Sequence, residues 1–292
     1  MISLSARRFL ATFALLGFAG ASQAAQPLKL DVYNPGEEAI FPVSSVLVTG
    51  EKDAVLVDAQ FSKTQAEQIV EKIRKSGKNL TTIYISHGDP DYYFGLQTIT
   101  SAYPKAKVVA SAKTVAHINE TKDAKLAYWG PKLGAAAPGK VIVPEVLQGT
   151  ELKLEDQKLQ VIGLDGPQPD RSFVWIPSIK AVVGGVVLSS NIHVWMADTQ
   201  SAKSHQDWLA TLATIEKLKP ATIVPGHFLP GDQTALQSPT FTAGYIKTFD
   251  AETAKAKDSA ALIAAMKAHY PKLADDSSLV LSAKVAKGEM KW

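Results

Sequence analysis

The sequence predicts an α+β fold, a four-layer helix/sheet/sheet/helix (αββα) sandwich. Three observations carry this: β-rich hairpin runs, a following segment with helical period, and a strand that then ends on a histidine in a polar loop. The cycle is read twice, closing at His87 and again at His227. Polar loops at the ends of such strands collect along one edge of a sandwich. Other α+β arrangements share the same periodicity.

In order, Arg7 and Arg8 precede an apolar run from Phe9 to Phe18 and a small-residue stretch ending at Ala24. This pattern predicts a secretory leader over 1–24, and hence a periplasmic or secreted chain, with residues 25–292 forming one domain. The apolar run is shorter than the roughly 20 residues a membrane span needs, so no stable membrane insertion is expected after cleavage. Val46 to Thr49 and Ala54 to Asp58 flank Gly-Glu-Lys-Asp, which signals a hairpin. Ala66, Ile69, Val70 and Ile73 then recur at helical spacing up to Gly77, with Ser62 or Thr64 as caps. "LTTIYIS" is a strand that delivers the chain to His87.

A helix is predicted from Tyr92 or Tyr93 to about Tyr103, a strand at "AKVVAS", and a helical stretch from Ala112 to Trp129. The Gly/Pro/Ala-rich segment after it reads as a long connection. Two strand pairs follow, turning at Glu155 to Gln157 and at Pro177-Ser178, the second pair carrying "VVGGVVL". Trp208, Leu212, Ile215 and Leu218 form an apolar helical stripe before Pro220; "ATIVPGHF" is a strand ending at His227; from about 240 the chain is helical and Ala/Lys-rich.

Composition narrows the function classes. Of 31 basic residues the leader takes two, leaving 29 against 28 acidic ones. That balance provides no electrostatic footprint for nucleic acid or an anionic membrane. With no cysteine there are no disulfides and no thiolate ligands, so a metal would have to be held by histidine and carboxylate. No phosphate-loop or Gly-x-Ser-x-Gly pattern is present.

The loop "HGDPDYYFG" is the richest in chemistry. His87, Asp89 and Asp91 alternate after a strand, so three ligand-capable side chains converge if the extended geometry persists; Asp-Pro-Asp is equally good turn chemistry. From about Leu30 to Pro230, "VLVDA" with Asp58, this loop, "VGGVVL" and "VPGH" together resemble the metallo-β-lactamase superfamily, whose fold is the four-layer sandwich. On that resemblance His87 stands at the first histidine of the His-x-His-x-Asp-His motif, Asp89 at the second, Asp91 at the aspartate and Tyr92 at the third histidine. The later Gly-His corresponds to Asp165, with Asp170 as a rival; Val186 stands where a bridging carboxylate belongs; His227 stands at the final histidine.

The resemblance implies a metal set of His87, Asp89, Asp91, Asp165 and His227. It also implies one ion per chain, zinc before manganese or iron, because Val186 removes the bridge. Asp91 would be the catalytic group that orients or deprotonates a metal-activated water. The implied activity is hydrolysis of a small-molecule ester, lactone or amide. The alternative is a non-catalytic ligand-binding protein on the same fold. Tyr92, His193 and Trp195 are expected to line the substrate pocket. His205 reads as a surface residue, and His117 and His269 as solvated.

Overall fold

The computed structural model describes residues 26–231 and 235–292; the expected leader lies outside the described residues. The first sheet takes β1 (Lys29–Tyr33), β2 (Ser45–Thr49) and β3 (Asp53–Val57). It continues, after α1 (Lys63–Ser76), with β4 (Asn79–Ile85). Two short helices, α2 (Pro90–Tyr93) and α3 (Leu96–Ala102), lead to β5 (Lys107–Ala110), the long α4 (Ala112–Leu133) and β6 (Glu145–Val146). The second sheet takes β7 (Glu151–Leu154), β8 (Gln157–Ile162), β9 (Phe173–Ile176) and β10 (Ala181–Val183), then β11 (Thr222–Val224) after α5 (Ala202–Leu218). Helices α6 (Ser238–Lys255), α7 (Ser259–His269) and α8 (Asp276–Ala286) follow.

The first sheet runs β1-β2-β3-β4-β5-β6, antiparallel up to β3 and parallel beyond it. The second runs β11-β10-β9-β8-β7 with β10 and β11 parallel. Three apolar clusters separate four layers. Along β3, Ala54 and Leu56 pack toward the helices of the first half, while Val55 and Val57 pack between the sheets. Along β9, Phe173 and Trp175 face the second helical layer, and Val174 and Ile176 face the first sheet. Strands buried on both faces have no polar side to alternate with, which is why "AVLVD" and "FVWI" read as continuous apolar runs.

Helix α1 begins where the sequence predicts. Ser62 Oγ accepts from the Gln65 amide (3.2 Å), Gln65 Oε1 accepts from the Ser62 amide (3.0 Å), and Gly77 ends the helix in the left-handed region at φ +66°. Two expectations need correction. The helix predicted from Tyr92 to Tyr103 is broken into α2 and α3 by a turn at Phe94-Gly95. The "VVGGVVL" strand stops at Val183, because Gly184 and Gly185 take φ +70° and +89°, which strand geometry excludes. Val186 therefore lies in the loop beyond the strand, buried at the edge of the first core cluster.

Candidate functional site

The ends of β3, β4, β10 and β11 meet at one edge of the sandwich. Asp58, at φ +64° just beyond β3, accepts from the Ser86 amide (2.8 Å) and hydroxyl (2.7 Å) just beyond β4. The Gly185 amide donates to Ser86 Oγ (3.2 Å), and Ser172 donates to the Ser86 carbonyl (3.0 Å), so the two sheets are tied together beneath the loop 87–95. Burial pushes the Asp58 carboxyl up to about 7 against the two Ser86 hydrogen bonds that favour its charge.

Above this tie lies a cavity of about 670 Å³ that takes His87, Asp89, Asp91, Asp170, Arg171 and His227 into its wall. Two hydrogen-bonded clusters occupy its floor. In the first, His87 Nδ1 faces the Asp170 carbonyl (3.0 Å) and Nε2 faces Asp89 Oδ2 (3.1 Å). A carbonyl and a carboxylate can only accept, so these two partners favour a ring that carries a proton on both nitrogens. Burial alone would lower its pKa, but the adjacent Asp89 outweighs burial and the net direction is upward. Asp89 is held well below the usual carboxylate range: burial opposes this, and His87 and Lys125 overcome it.

Lys125 completes that cluster. Its ammonium donates to Asp89 Oδ1 (2.8 Å), the Gly88 carbonyl (2.9 Å) and His117 Nε2 (3.0 Å), one acceptor for each of its three N–H groups. Burial and Lys125 both lower the pKa of His117, which suits an imidazole that must offer a lone pair. In the second cluster, His227 donates from Nε2 to Asp91 Oδ2 (2.8 Å), and its Nδ1 meets the Tyr92 hydroxyl (3.2 Å). Tyr92 is fully buried, sandwiched edge-on between the rings of His87 and His227, and burial pushes its hydroxyl well above the ordinary tyrosine range. It supports the floor and does not line the cavity.

The wall is aromatic. Phe41, Trp129, Tyr128, Trp292 and Trp195 form a closed ring of edge-to-face neighbours with successive centroid distances of 5.3, 4.9, 6.4, 5.0 and 6.0 Å. The indoles of Trp195 and Trp292 each donate to Asp198 at 2.6 Å. His193 lines the cavity and its Nδ1 meets the Tyr245 hydroxyl (3.0 Å); burial lowers its pKa.

A profile of the metallo-β-lactamase superfamily matches residues 40–227, more than half of the chain. The chain belongs to the metallo-β-lactamase superfamily. Among solved structures it is similar to the DIM-1 metallo-β-lactamase (18% identity, 77% of this chain and 99% of that one, TM-score 0.54). It is also similar to a metallo-β-lactamase from Pontibacter korlensis (18%, 77% and 97%, TM-score 0.56). At such identity these two show the shared fold. An uncharacterized protein of Bacillus subtilis (strain 168), YobT, is 32% identical over 75 residues, 26% of this chain; the match spans about a third of that protein.

Superfamily members commonly hold divalent metals at this edge, so the donor set matters. His87, Asp89, Asp91 and His227 all come to the cavity, but as two separate pairs. Among the described residues, no three His, Asp or Glu side chains are placed to share an ion. Asp165 requires correction: it lines another cleft, of about 460 Å³, with Gln160, Thr211 and Thr214, because the 163–171 loop turns its second half, not its first, toward His87. Asp170 reaches His87 through its backbone carbonyl, and Arg171 follows it into the cavity wall. Val186 supplies no donor. Both His87 ring nitrogens already face acceptors, and the Lys125 ammonium already balances Asp89. The donors as arranged do not fit a divalent ion.

Sequence reasoning missed Lys125, Arg171 and, apart from Trp195, the ring of aromatics, and it did not place His117 at the cavity. His117, Thr121, Lys125 and Tyr128 recur at helical spacing on α4 and all line the cavity, a stripe that was available to read. His117 is half-buried and lines the cavity, where it meets Lys125. His205 is likewise not on the surface: it is buried, with Nδ1 on Asp250 (2.7 Å) and Nε2 on the Thr199 carbonyl (2.5 Å).

Proposed function

We propose that this superfamily member is a small-molecule-binding protein in which a tethered ammonium, Lys125, takes over the charge that a metal supplies in its relatives. One observation carries the reading: the ammonium meets three acceptors, Asp89 Oδ1, Gly88 O and His117 Nε2, at 2.8–3.0 Å beside a cavity in the size range of small-molecule sites. Tyr92 is kept neutral by burial, so the Tyr92–His227–Asp91 chain is a weak source of a nucleophile. The leader pattern at 1–24 supports a location outside the cytoplasm.

The test is metal content. After incubation with zinc, manganese or iron(II) and removal of loose ions, the wild type should retain less than about a tenth of an ion per chain. Retention near one ion per chain would overturn the reading.

Hydrolysis of an ester, lactone or amide is the second reading, favoured by the Asp91–His227 contact at 2.8 Å in the cavity wall and by the activities common in the superfamily. In that reading Asp91 is the base for an attacking water. It expects turnover of p-nitrophenyl acetate or a simple lactone that Asp91→Asn abolishes. Identical rates for the two proteins would remove Asp91 from that role.

A further inference from the structure

The cavity contains one buried cation whose N–H groups the contacts above do not satisfy. Arg171 is only 4% exposed, it lines the cavity, and neither Nη1 nor Nη2 has a hydrogen-bond partner. No carboxylate of the described residues lies within 4.0 Å of it; its guanidinium rests 4.9 Å from the ring centroid of Trp208, which shields one face and satisfies no N–H. Of the other charges on the wall, Asp89 is paired with His87 and Lys125 and Asp91 with His227, while Asp198 takes two indole N–H groups and feels Arg171 electrostatically without a hydrogen bond to it. A buried guanidinium with two unpartnered N–H-bearing nitrogens beside a cavity is a place for an acceptor that the chain itself does not supply.

We infer that the ligand is an apolar, ring-bearing monocarboxylate, its carboxylate taken by Arg171 and its body held against Phe41, Trp129, Trp195 and Trp292. The inference rests on the reading of this cavity as a small-molecule site. A planar fork of N–H donors matches a carboxylate in two parallel hydrogen bonds. A single negative charge suits the cavity better than a phosphate dianion. Five aspartates, Asp89, Asp91, Asp170, Asp198 and Asp275, stand among the lining residues against Lys125, Arg171, Lys291 and the His87 ring, so the wall is net negative before a ligand enters and each further charge on an anion adds repulsion. The aromatic ring supplies flat apolar walls on several sides, which favours a flat apolar body.

The experiment compares 2-naphthoate with 2-naphthamide, a neutral near-isostere, by calorimetry and tryptophan quenching on the full chain. Wild type should bind the carboxylate about tenfold or more tightly than the amide. Arg171→Gln should bring the two within about twofold, and Arg171→Lys, which keeps the charge without the fork, should fall between. Because Arg171→Gln alters a buried residue, the wild-type comparison alone also decides. Equal affinities, a preference for the amide, or no binding of either compound overturns the inference. An unchanged preference in a folded Arg171→Gln protein overturns it as well. Metal content measured on the same samples keeps the two readings apart: a stoichiometric ion sinks the metal-free reading, whereas loss of carboxylate preference sinks only this one.

Discussion

Asp58 is the residue on which the edge of the sandwich turns, and its environment sets a pH dependence. Its carboxyl is pushed up by burial to about 7 in the folded chain, above its ordinary value of 3.8. Between those values the folded state binds more protons than the unfolded one, so stability falls as pH rises through that window and levels off above it. Asp58→Asn keeps an acceptor for the Ser86 amide and tolerates φ +64°. Relative to that variant, the wild type should lose about 2–3 kcal/mol between about pH 5 and about pH 8 in urea unfolding. Parallel curves for the two proteins would show that Asp58 does not titrate in this range. Lys125 provides the second residue-scale prediction. Lys125→Met removes one of the two cations on Asp89 and should cost about 1–3 kcal/mol, read by the same unfolding curves. It also leaves Asp89, His117 and the Gly88 carbonyl around the vacated place, so zinc should raise the melting temperature of the variant and not of the wild type. A zinc response in both proteins would contradict the assignment of Lys125 as the resident cation.

At the scale of elements, the loop 87–95 is held by backbone contacts that leave no room for side chains. Gly95 donates to the Gln60 carbonyl (2.9 Å), and a Cβ there would lie 2.0 Å from the Ala59 carbonyl oxygen and 2.8 Å from Ala66 Cβ. Its φ of −69° is ordinary, so the constraint is close approach and not conformation. Gly95→Ala should therefore cost about 3 kcal/mol in chemical unfolding, because backbone and not a flexible side chain must move; a loss under about 0.5 kcal/mol, the size of an ordinary surface change, would refute it. The elements themselves were readable where signals are local: the hairpin around Gly50, the Ser62 cap, the strand into His87 and the apolar stripe of α5. The break at Gly184-Gly185 was not, since two glycines in an apolar run fit a strand until the opposing Val57 and Ser172 are in place. The same boundary divides the site. His87, Asp89 and Asp91 lie on one local loop and were legible together, but the choice between Asp165 and Asp170 depends on how the 163–171 loop folds. Lys125 depends on the rotation of α4 against the first sheet, which spacing along α4 alone does not fix.

At the scale of the whole molecule, the cavity is closed by segments far apart in the chain. The His193 amide donates to the Ala274 carbonyl (2.8 Å), and the Met196 amide donates to Ser282 Oγ (2.8 Å), so the segment around α8 fixes the 189–198 loop. Trp292 then crosses the mouth, from Tyr128 on α4 to Trp195 and Asp198 on the other side. Trp292 is 45% exposed, so its removal takes away wall area without opening a core. Asp198 keeps its second indole partner, Trp195, and the fold should hold, with the melting temperature shifted by no more than about 2 °C in Trp292→Ala. What the variant loses is an apolar surface that any flat ligand would cover. Affinity for 2-naphthoate and for 2-naphthamide should therefore fall together, by about tenfold each, leaving their ratio at the wild-type value. Arg171 acts on that ratio and Trp292 on the common affinity, so the two substitutions should combine independently in the double variant. A Trp292→Ala protein that binds both compounds as tightly as the wild type would show that the aromatic ring packs the mouth without taking part in binding.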